Sequence, residues 1–181
     1  KTGCTEWKLM EKMYPEEKKK VKIIDRYHPD AETVVAANPD LMIGWKSTFD
    51  SVLKRPTAWW NERGVRTYVV STSNHLHDKG RIEDECRYLD DMGQIFDVRE
   101  KTDRMIREIH DELSRTQKLV KGRASQAVMV VEPEGKAFYN YDNGWVVGDM
   151  VEQLGGYMPA GERRIGYEDL ISYNPDVLFV V

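Results

Sequence analysis

Aromatic, cationic and hydrogen-bonding side chains recur after short apolar runs or at the matching positions of an internal repeat. They are Arg26, Tyr27, Trp45, Lys46, Ser73 and His75 in the first half of the chain and Tyr141, Trp145, Arg163 and Arg164 in the second. An indole ring offers a flat apolar face, and a guanidinium group holds carboxylate or phenolate oxygens with paired hydrogen bonds. Such side chains bind flat or anionic groups of small molecules, so we predict that they form a ligand-binding site.

The same side chains also have structural interpretations, which the sequence leaves open. Trp45 can cap the end of a sheet, Trp145 can pack in the core, and the arginines can be surface groups paired with a neighbour such as Glu162. The pair Trp59 and Trp60 is interpreted as covering a helix face.

Metal and enzyme motifs are weak or absent in the sequence. His75 and His77 are spaced to supply two metal ligands, but no third or fourth ligand is evident, so a surface loop is preferred. Cys4 and Cys86 lie far apart without a Cys-x-x-Cys pair and predict neither a disulfide framework nor a thiolate zinc site. There is no Gly-x-Ser-x-Gly elbow, Walker loop, Gly-x-Gly-x-x-Gly or His-Glu-x-x-His motif. We predict no catalytic residue, no metal site and no intrinsic cofactor.

Composition excludes further classes of function. The 181 residues carry a net charge of -4, and apart from Lys18 to Lys20 the basic residues are spread out, so no nucleic-acid partner is expected. The longest apolar runs are far shorter than the ~20 residues that cross a bilayer, and the first residues are not a signal peptide.

Alternating strand and helix patterns predict an α/β fold with mostly parallel sheets. The predicted strands are 21–24, 41–44, 67–71, 127–131 and 177–181, and the predicted helices are 5–14, 30–38, 48–63, 82–92, 145–154 and 167–173. In such sheets ligands bind beyond the carboxyl ends of the strands, which is where most of the candidate residues lie.

One long helix is predicted between two lobes. Apolar residues recur at three- and four-residue steps over 97–121 without glycine or proline. The predicted domains are an N-terminal lobe over 1–96, a connecting helix over 97–121 and a C-terminal lobe over 122–181.

An internal repeat lies on both sides of this helix. The segment 31–43 matches 167–179, with the same Glu, Asn, Pro and Asp and with apolar residues at corresponding positions. Both copies predict a short helix followed directly by a buried strand. Glu32 and Glu168 begin these helices, where a carboxylate is favoured by the helix dipole.

The order of these segments resembles the helical-backbone, or class III, substrate-binding proteins of ABC importers for siderophores, haem and cobalamin. The matching pieces are the two copies of Glu-x6-Pro-Asp followed by apolar residues, with His28-Pro29-Asp30, Met92-Gly93-Gln94, Leu154-Gly155-Gly156 and Ile165-Gly166-Tyr167 around them. The resemblance implies two Rossmann-like lobes joined by one long α-helix, with the ligand in the cleft between them.

The resemblance also implies a function. It indicates an extracytoplasmic, non-enzymatic protein that captures a ferric siderophore or haem and delivers it to an ABC importer, with Glu32 and Glu168 docking on the permease subunits. We expect a monomer that is periplasmic or anchored to the outer face of the cell membrane as a lipoprotein. Family members begin with a further strand and helix and continue past the second repeat, so we expect the chain to be a fragment of the two-lobe fold.

One alternative concerns the ligand, and two others concern the class of protein. The segment Ile43-Gly44-Trp45-Lys46 resembles the strand end where cobalamin binders place a tryptophan. Arg26 and Glu162 each lie six residues before a repeated glutamate, where cobalamin binders carry aromatics, and the arginines in these regions favour an anionic iron complex. A metal chelatase or cofactor-assembly enzyme centred on His75 and His77, and a surface adhesion or haem-relay module, are the other classes.

Overall fold

The computed structural model describes residues 11–21, 29–72, 79–159 and 161–181. Most of the predicted helix 5–14 and strand 21–24 falls outside these residues. Four of the predicted site residues also lie outside them, namely Arg26, Tyr27, Ser73 and His75. The chain divides into two compact units, Lys1–Tyr68 and Val69–Val181.

The first unit contains short helices and a two-stranded sheet. Its elements are α1 (Pro15–Lys19), α2 (Ala31–Ala37), β1 (Leu41–Gly44), a π-helical turn (Thr48–Val52), α3 (Thr57–Asn61) and β2 (Arg66–Val69), whose last residue crosses the unit boundary. β1 and β2 are hydrogen-bonded neighbours. Phe49, Leu53 and Trp60, from the segment between the strands, are buried and supply the core.

The prediction of one continuous helix over 48–63 is wrong. Lys54 adopts a left-handed backbone conformation with φ of 51°, and Pro56 is the N-cap of α3. Because proline lacks a backbone N–H and restricts the residue before it, a helix does not continue through this point. The segment is a π-helical turn followed by a short helix.

The second unit holds a four-stranded sheet with helices on both faces. Its elements are α4 (Ile82–Ile95), α5 (Arg99–Val120), β3 (Val128–Glu134), β4 (Ala137–Tyr141), α6 (Val146–Gln153), β5 (Arg164–Ile165), α7 (Tyr167–Tyr173) and β6 (Val177–Val180). The strand order is β5-β4-β3-β6; β3 and β6 are parallel, and the other two pairs are antiparallel. The mixed α/β fold with parallel elements is confirmed, but this sheet is not mostly parallel as predicted, since two of its three strand pairs are antiparallel.

Two apolar clusters fix this sheet between its helices. On one face Met129, Val131 and Phe138 pack with partly buried residues of α7, and on the other face Val128 and Val130 pack with α6. The buried run Val128 to Val131 is apolar on both sides because both sides of β3 are covered.

Two strands of the second unit were not predicted from the sequence. β4 alternates the buried Phe138 and Asn140 with the half-buried Tyr139 and Tyr141, and β5 is only two residues long. The turn before β4 uses Gly135 with φ of 66°, which reverses the chain so that β4 pairs with β3.

The predicted helices of the second unit are confirmed. The ranges 82–92, 97–121, 145–154 and 167–173 correspond to α4, α5, α6 and α7, with ends that agree to within three residues. None of the helices in the described ranges combines the length and apolar composition needed to cross a membrane.

The compact units do not follow the predicted lobe boundaries. α4 packs against α5, so residues 82–95 lie in the same unit as the second sheet. The division at residue 96 and the role of α5 as a connector between lobes stay predictions.

The internal repeat has the same backbone form in both copies. α2 and α7 are seven residues long, and each ends at an asparagine in the left-handed conformation, Asn38 with φ of 47° and Asn174 with φ of 44°. Asparagine tolerates this conformation better than most residues, so it ends the helix just before the Pro-Asp pair. Each helix then leads directly into a strand, β1 or β6.

Candidate functional site

Three aromatic rings form a cluster in the second unit. Tyr141 lies with its ring centroid 5.3 Å from that of Trp145, and Tyr139 lies 5.1 Å from Tyr141 and 6.0 Å from Trp145. All three pairs are edge to face, and all three side chains are partly exposed. The cluster presents aromatic surface while remaining fixed by its own ring contacts.

Two elements position this cluster. Tyr139 and Tyr141 point to the same face because strand residues alternate, and Trp145 is the N-cap of α6. The connecting loop is fixed by Asp142, whose carbonyl accepts from Trp145 N at 3.1 Å and whose side chain accepts from Gly144 N at 2.8 Å. A recess of about 180 Å³ lies beside this loop and is lined partly by Asp142, Gly144 and Met158.

Acidic residues of β3 lie across from the aromatic strand. Tyr141 donates its hydroxyl hydrogen to Glu132 at 2.9 Å. The pKa of the Tyr141 phenol is raised above its ordinary value. Burial is the largest cause, and this hydrogen bond to Glu132 is the second. Tyr141 is therefore held as a neutral phenol with an oriented hydroxyl group.

Two of the three predicted arginines, Arg163 and Arg164, lie along the edge of β4 that pairs with β5, away from β3. Arg164 pairs with Tyr139 in the β4–β5 register, and its Nε is 3.9 Å from a Glu134 oxygen. Directly opposite residues of an antiparallel pair share a face, so Arg164 lies on the face of the aromatic cluster. Arg163 is exposed, and its carbonyl accepts from Asn140 N at 2.8 Å.

Glu162 is held by a tyrosine rather than by an arginine. Tyr173 donates its hydroxyl hydrogen to the Glu162 carboxylate, which raises the pKa of Tyr173, and the Glu162 carbonyl accepts from Asn140 Nδ2 at 3.0 Å. The side chain of the buried Asn140 thereby fixes the segment that leads into β5.

Trp45 and Lys46 lie in the first unit, after β1. Trp45 is 51% exposed, so it is not a buried core residue, and its role at the end of the sheet stays a prediction. Lys46 forms an ion pair with Asp50, one helical turn further along the chain. Trp45 is therefore available to a ligand, whereas Lys46 has a protein partner.

Sequence comparison decides the family. The family model described as periplasmic binding protein matches residues 2–181, nearly the whole chain. The chain belongs to the periplasmic binding protein family. This agrees with the resemblance predicted from the motif order, and the family consists of binding proteins rather than enzymes. No curated protein matches the sequence significantly.

Solved structures similar to this periplasmic binding protein share its fold. A periplasmic binding protein from Veillonella parvula is 26% identical, with a TM-score of 0.73 over 83% of this chain and 48% of that one. A catecholate-siderophore binding protein from Vibrio cholerae is 16% identical, with a TM-score of 0.63 over 85% and 54%. A vitamin B12 binding protein from the same organism is 13% identical, with a TM-score of 0.65 over 92% and 64%. The chain therefore spans about half to two thirds of the length of these structures.

The repeated glutamates of this periplasmic binding protein are both exposed. Glu32 lies in the first turn of α2 and Glu168 in the first turn of α7. Three residues further along each helix is an exposed apolar side chain, Val35 at 50% and Ile171 at 75% exposure. Residues three apart share a helix face, so each helix presents a carboxylate beside an apolar group.

A shallow recess adjoins Glu32. It has a volume of about 320 Å³ and is also lined by Val35, Arg55 and Trp59. Two guanidinium groups lie near the Trp59 ring, with the Cζ of Arg55 5.4 Å and that of Arg63 3.8 Å from the ring centroid. Trp59 thus belongs to the surface near Glu32, which agrees with the interpretation that it covers a helix.

The structure brings together only part of the predicted binding set. Tyr141, Trp145 and Arg164 lie on or beside one aromatic surface, with Arg163 next to it, and Trp45 is exposed in the other unit. Glu132 belongs to the same surface but was not selected from the sequence, and Tyr139, although it lies in the candidate segment before Trp145, was not singled out as a ligand-binding residue. The alternation of 138–141 was the signal that would have found Tyr139, because it predicts a strand with both tyrosines on one face.

Proposed function

We propose that this periplasmic binding protein captures an anionic iron complex, a ferric siderophore or haem, outside the cytoplasm and delivers it to an ABC importer. The observation that carries the proposal is the partly exposed cluster of Tyr139, Tyr141 and Trp145 with Arg164 on the same face of the sheet. Flat aromatic groups pack against a catecholate or a porphyrin, and a guanidinium group binds the carboxylate or phenolate oxygens of these ligands.

Trp45 and Arg163 complete the proposed binding set. Trp45 follows β1 in the first unit, and Arg163 precedes β5 in the second. Both are exposed. Each lies beside the end of a strand in its own unit, where ligands of open α/β sheets bind.

Glu32 and Glu168 are proposed to dock on the two membrane subunits of the importer. The support is their equivalence: both are exposed, both occupy the first turn of a seven-residue helix, and both have an exposed apolar neighbour at the third following residue. A symmetric pair of carboxylates would suit two similar cationic pockets on a permease. We also propose that the protein acts as a monomer, periplasmic or held at the membrane as a lipoprotein.

Replacement of Trp145 tests the ligand site. We expect Trp145→Ala to weaken the binding of haemin or a ferric catecholate, measured by calorimetry on protein expressed from the complete gene, at least about tenfold, or about 1.4 kcal/mol. Arg164→Gln is expected to weaken the binding of these anionic complexes to a similar extent.

The matched control is Trp59→Ala, which removes an equally large ring from the first unit and is expected to leave the affinity unchanged. Thermal unfolding of each variant checks that the protein is folded. Unchanged affinity in both Trp145→Ala and Arg164→Gln would show that the aromatic surface is not the binding site.

A further inference from the structure

Three potential metal ligands from two helices of the second unit converge. Glu83 and Cys86 lie one helical turn apart on α4, and His110 lies on α5. Cys86 Sγ is 3.6 Å from His110 Nε2, and His110 Nε2 is 3.1 Å from Glu83 Oε1. All three ligand atoms lie within 4.8 Å of one another.

These distances suit a tetrahedral metal ion. With Zn–S near 2.3 Å and Zn–N near 2.05 Å, tetrahedral angles place sulfur and nitrogen about 3.5 Å apart and nitrogen and oxygen about 3.3 Å apart. The observed separations of 3.6 Å and 3.1 Å are close to these values. Two of the three pairs are therefore already near tetrahedral spacing. The third pair, Cys86 Sγ and the Glu83 carboxylate, lies within 4.8 Å, against about 3.6 Å in a tetrahedral site, and the exposed Glu83 side chain would close any remaining gap.

Hydrogen bonding explains only part of this arrangement. His110 approaches both Cys86 and Glu83 with the same atom, Nε2. If Nε2 carries a hydrogen it donates to the Glu83 carboxylate, and if it does not it accepts from the Cys86 thiol. A hydrogen on Nε2 would have to be shared between the Glu83 carboxylate and the weakly accepting Cys86 sulfur, whereas a cation at the centre is attracted to all three ligand atoms.

The surroundings leave room for a further ligand. Cys86 is buried, while the side chains of His110 and Glu83 are 47% and 58% exposed. The sulfur would thus lie on the protein side of the ion, and the fourth position would face solvent. Three protein ligands and one open position form a common arrangement for zinc.

We propose that Glu83, Cys86 and His110 bind one divalent transition-metal ion, Zn²⁺, which ties α4 to α5. A thiolate and an imidazole exclude Mg²⁺ and Ca²⁺, which prefer oxygen ligands, and a thiolate, imidazole and carboxylate together suit Zn²⁺ and its spectroscopic substitute Co²⁺. This site shares no residue with the proposed chelate-binding surface, so either proposal stands if the other fails.

Cobalt binding to the complete, metal-stripped protein tests the proposal. One equivalent of Co²⁺ per chain is expected to produce visible bands of four-coordinate cobalt and a near-ultraviolet thiolate-to-cobalt band, and Zn²⁺ is expected to abolish both. No thiolate band with Cys86 reduced would overturn the proposal.

Variants locate the site. Cys86→Ser should remove the thiolate band, and Glu83→Gln should weaken Co²⁺ binding at least about tenfold. Because Glu83 is exposed, Glu83→Gln is expected to fold even if Cys86→Ser does not, and far-ultraviolet circular dichroism checks both.

Matched controls remove the same groups elsewhere in the chain. Cys4→Ser deletes the other cysteine, Glu108→Gln neutralises an exposed carboxylate on α5, and a double replacement of His75 and His77 by Asn removes the other closely spaced histidines. All three are expected to keep the full cobalt spectrum. A band that persists in Cys86→Ser or disappears in Cys4→Ser would contradict the assignment.

Discussion

The hydrogen bond between Tyr141 and Glu132 in the aromatic surface can be tested through the pKa of the Tyr141 hydroxyl group. Burial and the hydrogen bond to Glu132 raise the pKa of Tyr141 above the ordinary tyrosine value of about 10. We predict that Glu132→Gln lowers this pKa but leaves it above the ordinary value, because burial remains the larger cause. Titration of ring-labelled tyrosine by NMR, with Tyr141→Phe to assign the signal, measures the effect.

The sign of the associated stability change follows from the direction of the shift. Because the folded-state pKa is raised, the contact contributes stability below about pH 10 and loses it as the pH rises through the folded-state value. Glu134→Gln is the matched control, since Glu134 lies on the same strand near Arg164 and has no hydrogen bond with Tyr141 among the described contacts. An unchanged Tyr141 titration in Glu132→Gln would contradict the described contact.

Single residues were predictable where local sequence determines their place. Tyr141 and Trp145 were selected because they border a loop after an apolar run, and both lie in the aromatic cluster. Tyr139 was not singled out within its segment because β4 was not recognised. Cys86 and His110 could not be paired from the sequence, because their contact depends on how α4 folds back on α5 rather than on any local spacing.

The junction of α4 and α5 is the clearest element-scale feature. Gly93 of α4 lies so close to Thr102 of α5 that an added Cβ would be 2.2 Å from Thr102 Oγ1 and 3.3 Å from Arg99 Cα. Gly93 and Thr102 are both buried. The helices pack this closely because Gly93 has no side chain.

We predict that Gly93→Ala destabilises the protein by about 1–3 kcal/mol, since the buried methyl group forces the two helices apart. Chemical denaturation measures the change in the free energy of unfolding. Gly161→Ala is the matched control, because no atom lies within 4 Å of its added Cβ, and its effect should stay within about 0.5 kcal/mol. Equal stabilities of the two variants would show that α4 and α5 do not pack in this way.

At the scale of elements, sequence periodicity located the long helices well. The apolar steps over 97–121 predicted α5, and the repeat predicted α2 and α7 with the strands that follow them. Periodicity failed in two places. The left-handed Lys54 and Pro56 divide the segment 48–63, which was predicted as one helix. β5 has only two residues, too few to show a strand period.

At the scale of the whole molecule, the internal repeat was predictable from the sequence, whereas the ligand was not. Two copies of one helix-strand segment, one in each compact unit, place Glu32 and Glu168 in equivalent local settings. The ligand could not be predicted to the same depth, because a few loop side chains determine it and four of the predicted ones lie outside the described residues.

Charge reversal tests the proposed docking. We predict that Glu32→Lys with Glu168→Lys abolishes import of the iron complex in cells while the affinity of the purified protein for it stays unchanged, because neither carboxylate belongs to the aromatic surface. Glu108→Lys, on α5, is the control and should transport normally. Normal import by the double variant would exclude these glutamates as docking residues.

We propose that the ligand of this periplasmic binding protein is an anionic iron complex. Calorimetric titration of the protein from the complete gene with haemin, a ferric catecholate siderophore and cyanocobalamin, under identical conditions, tests it most directly. We predict that at least one iron complex binds at least about tenfold more tightly than cyanocobalamin, a difference of about 1.4 kcal/mol. Tighter binding of cyanocobalamin, or no binding of any of the three, would contradict the claim.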